Sequence, residues 1–153
     1  MIKRAAITRL ILETFRLNGR LLVVGDALVA DIGLTSARWQ VVGAIAESLV
    51  PLPVAHIARN MGLARQSVQR LVNEMADEGL VRFAPNLHHQ RAKLVLLTAR
   101  GKSAYNAAMR RQQPWASHLA VGLTGEQIET ALNTLRVIRR RLEDEAEPGN
   151  GDD

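Results

Sequence analysis

The chain has no cysteine, which excludes disulfides, thiolate metal sites and cysteine-based redox sensing. Aromatic residues make up only 3% of it, so aliphatic side chains must build its core. No uncharged apolar run approaches the roughly 18 residues of a membrane span. Arg9, Glu13, Arg16, Arg20 and Asp26 interrupt residues 1–30, where the core of a signal peptide would lie. A soluble, cytoplasmic protein is expected. Acidic residues are scarce over most of the chain, because six of the fifteen lie from Glu143 onward, where there is no Lys or Arg. Residues 1–142 therefore hold 20 basic against 9 acidic residues, a net +11. Such a body favours polyanions, although charge also serves solubility.

Patterns for catalysis are missing as well. Of the four histidines (His56, His88, His89 and His118), the adjacent pair would point to opposite faces of a strand, and no His-Glu-x-x-His spacing occurs. Ser67, Ser103 and Tyr105 have no identifiable base partner, and Glu74, Asp77 and Glu78 read as a solvated helix end. Gly101-Lys102-Ser103 ends like a phosphate-binding loop, but Leu96 stands where that motif needs its first glycine. No enzyme, metal or cofactor is expected.

What is present is concentrated in residues 53–98, which read as a helix, a tight turn, a second helix and a two-stranded hairpin. If the segment 63–75 is helical, Val68, Leu71, Val72 and Met75 share one arc, while Gln66, Gln69, Arg70 and Asn73 share the opposite one, with Arg65 on the flank. Arg, Gln and Asn carry planar donor and acceptor groups that match base edges in the major groove. The preceding segment, with Ile57, Ala58 and Met61 inward, closes on Gly62, the order of a helix-turn-helix. Gly79 ends the second helix, residues 80–84 and 92–97 are strand-like, and Leu87-His88-His89-Gln90-Arg91 forms a projecting tip.

With Leu34-Thr35-Ser36-Ala37-Arg38-Trp39-Gln40-Val41, Ile57-Ala58, Gly62-Leu63-Ala64-Arg65-Gln66-Ser67-Val68, Glu78-Gly79-Leu80-Val81, Arg91-Ala92-Lys93 and Leu97-Thr98-Ala99-Arg100-Gly101, the chain resembles the MarR family of winged helix-turn-helix transcriptional regulators over residues 8–142. It departs from the family pattern at Ala64, where a Ser or Thr N-cap is usual, and at His89, where an Asp often braces the tip Arg. The resemblance implies a mainly α fold with a small β-hairpin wing. It also implies a homodimer on a pseudo-palindromic operator and a site for small aromatic or anionic effectors. On that reading Arg65, Gln66, Gln69 and Arg70 face base edges. Ser67, Asn73, Thr35, Ser36, Lys93, His88 and His89 face phosphates, and Arg91 probes the minor groove. Trp39 is either a core plug or, with Arg16 or Arg38 as anion partner, part of the effector site.

The remaining segments frame this core. Helices are expected over 7–29 and from Thr35 or Ser36 to 47, the latter burying Trp39, Val42, Ile45 and Ala46. Pro51 and Pro53 make a rigid linker. A helix follows Thr98, with Pro114 kinking it or starting a new turn. Thr124 and Gln127 open the last helix as a capping box. One domain over 1–142 is expected, with a DNA-binding core at 35–98, dimerisation helices at 5–30 and 99–142, and an acidic disordered tail at 143–153. The function expected is a DNA-binding regulator, a repressor; a sequence-tolerant architectural DNA-binding protein would also suit the basic body.

Overall fold

The structure is a computed structural model and describes residues 2–146. Nine regular elements follow in order: α1 (Ile2–Val29), α2 (Ser36–Glu47), β1 (Leu52–Pro53), α3 (Val54–Met61), α4 (Arg65–Asp77), β2 (Val81–Ala84), β3 (Leu94–Leu97), α5 (Ala99–Leu119) and α6 (Gly125–Ala146). This is the mainly α, winged-helix architecture expected. The chain divides into two compact units, Met1–Gln113 and Pro114–Asp153.

In the first unit, α1 begins five residues earlier than its apolar pattern, because Lys3, Arg4, Ala5 and Ala6 are good helix formers without being part of the stripe. A 3-10 turn at Ala30–Ile32 and Gly33, at φ 84°, end it. The Thr35 side chain then caps α2, accepting from the Arg38 N–H at 3.2 Å. The inner face of α2 differs from expectation: Val41 and Val42 are fully buried, Trp39 and Ile45 half-buried, and Ala46 exposed. The buried arc is rotated because α1, α3, α4 and β3 all pack on α2, and the larger Val41 takes the covered position.

The wing carries a strand that periodicity missed. β1 pairs antiparallel with β3 (Leu52 with Val95, Pro53 with Leu94), giving the order β1-β3-β2. A single residue between Pro51 and Pro53 looks like a linker, but proline is tolerated on an edge strand, where its missing N–H breaks no central ladder. β2 and β3 form the expected hairpin, Val81 opposite Leu97 and Ala84 opposite Leu94.

Gly62, at φ 65°, reverses the chain between α3 and α4, where an L side chain would be strained. Val68, Val72 and Met75 of α4 join Ile57, Val41, Val42, Val81 and Val95 in one aliphatic core. Within this unit α5 packs through Gly101, Ala104 and Ala108, residues small enough to let its backbone approach closely.

Pro114 lies within α5, which runs on to Leu119. In the second unit the Thr124 N–H donates to Gln127 Oε1 at 2.9 Å and the Gln127 N–H to Thr124 Oγ1 at 3.2 Å, the capping box read from the sequence. None of the residues of α6 is buried. The acidic segment expected to be disordered from residue 143 is helical as far as Ala146, helped by an Arg139–Glu143 ion pair at 2.6 Å. The rest of that segment, 147–153, lies outside the described residues.

Candidate nucleic-acid interface

The polar arc of α4 emerges intact. Arg65, Gln66, Ser67, Arg70 and Asn73 are exposed and Gln69 is half-buried, while the apolar arc is in the core. Ala64 offers no side-chain cap, leaving the first N–H groups of α4 free. Gln69 Nε2 donates to Asn73 Oδ1 at 2.9 Å, which restrains both amides on the outer face.

Residues distant in sequence converge beside this helix. A groove of about 270 Å³ between α4 and the wing is lined by Arg65, Gln69 and Asn73 on one side and Arg91, Lys93 and Phe83 on the other. Pro53, Val54, Ala55 and Ala92 complete its lining. Three cations and two amides face this space, and no carboxylate among the described residues lines it. Lys93 Nζ lies 6.0 Å from the centre of the Phe83 ring, so its stem is packed and its charge held at the rim. At the wing tip the His88 N–H donates to Asn86 Oδ1 at 3.1 Å and the His89 N–H to the Asn86 carbonyl at 3.2 Å. His88, His89 and Arg91 are all exposed there.

Ser36 is a correction. It is only 6% exposed; its N–H donates to Asp26 Oδ1 at 2.6 Å and its hydroxyl to the Leu22 carbonyl at 2.9 Å. A Cβ at Gly25 would collide with its Oγ, so α1 is cut away there to receive it. Ser36 fastens α1 to α2 and is withdrawn from the surface, whereas Thr35 remains exposed.

Arg38 is likewise committed within the fold. It grips Glu78, just beyond α4, by two bonds of 2.5 and 2.8 Å, and lies 3.9 Å from Glu74. Those carboxylates therefore brace the end of α4 instead of forming a merely solvated helix end. The side-chain hydrogen bond from Arg38 holds the Glu78 carboxyl below its ordinary value, and a similar bond from Arg111 lowers Asp31. A carboxylate depressed in the folded state adds stability above its unfolded pKa and loses it as pH falls through the folded value. Glu78→Gln should therefore lower the urea midpoint at about pH 7 and by less at about pH 3, because the wild-type carboxylate loses its charge as pH falls through its folded-state value. An equal loss at both pH values would show that the pair is not the source.

Residues 32–92 match the model of the MarR family. An uncharacterized protein of Mycobacterium tuberculosis, Rv2011c, is 31% identical over 130 residues, 85% of this chain and 90% of its own length. The chain belongs to the MarR family. Its fold is that of a DNA-binding transcription regulator. The transcriptional activatory protein BadR of Rhodopseudomonas palustris is 28% identical over 63% of this chain and 57% of its own length. The structure of CouR from Rhodococcus jostii RHA1 bound to p-coumaroyl-CoA superposes with a TM-score of 0.73, covering 81% of this chain and 87% of that one at 22% identity, a likeness of fold.

This MarR-family chain has a second concavity, a cleft of about 650 Å³ within the first unit. Trp39, Gln40, Gly43, Ala44 and Glu47 of α2 form one wall, His56, Asn60 and Met61 of α3 another, and Tyr105 and Met109 of α5 a third. Tyr105 donates its O–H to Glu47 Oε1 at 3.3 Å. Burial and the Glu47 charge raise the Tyr105 phenol above its ordinary value, so it stays protonated as a donor. Trp39 packs partly against the core and also lines this cleft, whereas neither arginine named beside it lines the space. Arg38 is bound to Glu78, and Arg16 pairs with Glu13 at 3.3 Å along α1. Tyr105, Glu47 and Met109 were not singled out for this role, and no local pattern marks them. No helix of the described residues is long and apolar enough to cross a membrane.

Proposed function

We propose that this MarR-family regulator is a homodimeric, sequence-specific repressor that binds a pseudo-palindromic operator and is released by a small molecule held in the Trp39 cleft. The observation that carries the DNA reading is the groove where Arg65, Gln69 and Asn73 meet Arg91 and Lys93. In this reading Arg65, Gln66, Gln69 and Arg70 contact base edges, and Ser67, Asn73, Thr35, Lys93, His88 and His89 contact phosphates. Arg91 enters the minor groove, and the partner's α4 reads the other half-site about 34 Å away. A purely architectural binder has no use for an amide-rich recognition face, since Lys would serve it equally well.

Release is supported by the construction of α2. Trp39 and Gly43 line the cleft, while Arg38, next to Trp39, clamps the end of α4 through Glu78. A ligand that shifts α2 therefore strains the mounting of α4, which is how a bound molecule would lower DNA affinity.

Selection of bound sites from random DNA, followed by competition against bulk DNA, tests the sequence-specific reading. Arg65→Ala or Gln69→Ala should cost about 1–3 kcal/mol on the selected site and relax preference at one or two positions, leaving bulk affinity nearly unchanged. Lys93→Ala should weaken all sequences alike and flatten the salt dependence. Equal losses on selected and bulk DNA for the α4 variants, or no enriched site, would favour the architectural alternative.

A further inference from the structure

We propose that the Trp39 cleft selects an organic cation with an aromatic or apolar body, not the anion its family resemblance suggests. This deepens the effector reading and rests on the cleft being a ligand site. The charge of the lining is the first observation. Among the described residues Glu47 is the one fixed charge lining it, and no Lys or Arg does. An anion would meet an unopposed carboxylate, whereas an ammonium gains from it. The two arginines nearest in sequence logic are already occupied by Glu78 and Glu13.

The second observation is the layout. Trp39 and Glu47 lie eight residues apart on α2, about 12 Å along the helix axis. Gly43 stands midway, with no side chain to divide the space; even a Cβ there would only reach ordinary contact with Tyr105, 3.8 Å from Cε2. Tyr105 holds the carboxylate from the α5 side. A ligand lying along this trough would place its apolar body on the indole and its charge at the Glu47–Tyr105 end. A cleft of about 650 Å³ accommodates a molecule of that length. His56, on α3, and Tyr105, on α5, are the other titratable groups lining the space.

The test uses three probes of one shape, 4-phenylbutylamine, 4-phenylbutanol and 4-phenylbutyrate, titrated calorimetrically into the full chain. The amine should bind about tenfold tighter than the carboxylate, a modest factor because Glu47 is exposed to solvent. Glu47→Gln, at an exposed position where the fold should survive, should bring that ratio close to one while leaving the alcohol nearly unaffected; an unchanged melting temperature would show the variant intact. Tighter binding of the carboxylate, a preference that survives Glu47→Gln, or no binding of any probe at about 10 mM would overturn the proposal. Operator affinity measured with each probe separates the two readings. Amine binding that leaves operator affinity unchanged refutes release by this site but upholds the ligand class; release by the carboxylate alone does the reverse.

Discussion

Replacing Gly101 with Ala is expected to destabilise the protein by about 3 kcal/mol or more, a large share of the margin of a domain this size. Gly101 is buried in the first turn of α5, and a Cβ there would fall inside contact distance of the Leu80 carbonyl oxygen, a backbone atom that cannot swing aside. The same junction is tied by several bonds. The Gly101 N–H donates to Thr98 Oγ1 at 3.0 Å, the Thr98 hydroxyl donates to the Gly79 carbonyl at 2.6 Å, and the Thr98 N–H donates to the Leu80 carbonyl at 3.2 Å. Arg100 adds a bond to the Glu78 carbonyl at 2.8 Å. Separating α5 from Leu80 to admit a methyl group therefore loosens the end of α4 and the start of the wing together. Gly19, an α1 position with nothing near its missing Cβ, is the control: Gly19→Ala should stabilise by about 0.5–1 kcal/mol through helix propensity. Urea denaturation of both variants checks the contrast. If Gly101→Ala unfolds at the wild-type midpoint, the close approach is not a constraint.

Leu135→Asp should convert the protein to monomers or unfold it, with DNA binding lost in parallel. In α6, Ile128, Leu132, Leu135, Val137 and Leu142 are all at least 36% exposed. On α1, Ile11, Phe15, Leu21 and Leu22 are exposed too, Phe15 to 70%. Large apolar stripes of this kind are rarely left in water, and a second copy of the chain is the cover we propose. An aspartate placed in such an interface would be desolvated without a partner, at a cost of several kcal/mol. A half-operator complex would then hold only one recognition helix and bind weakly. Sedimentation equilibrium at micromolar concentration is the measurement, and a wild-type mass of one chain would refute the dimer outright.

The sequence alone determined the features whose physical cause lies within a few residues. Val68, Leu71, Val72 and Met75 separate from Gln66, Gln69, Arg70 and Asn73 by helical periodicity, so the two faces of α4 were visible without coordinates. The Thr124–Gln127 box, the hairpin around residues 85–93 and the turn at Gly62 are equally local, and the family resemblance rests on their order. Tertiary structure decided what depends on pairs remote in sequence. Arg38 and Glu78 are 40 residues apart, and Glu47 and Tyr105 are 58 apart. Neither member of either pair carries a local mark of its partner, so Arg38 suggested an anion site when its charge was already spent. Ser36 suits a helix start or a phosphate contact equally in sequence, and only the notch at Gly25 buries it. β1 escaped because two residues are too few for alternation to register and a proline hides a strand; it exists because β3 offers it an edge. Periodicity and capping chemistry act over one or two turns, whereas burial and ion pairing depend on which surfaces the finished fold brings together.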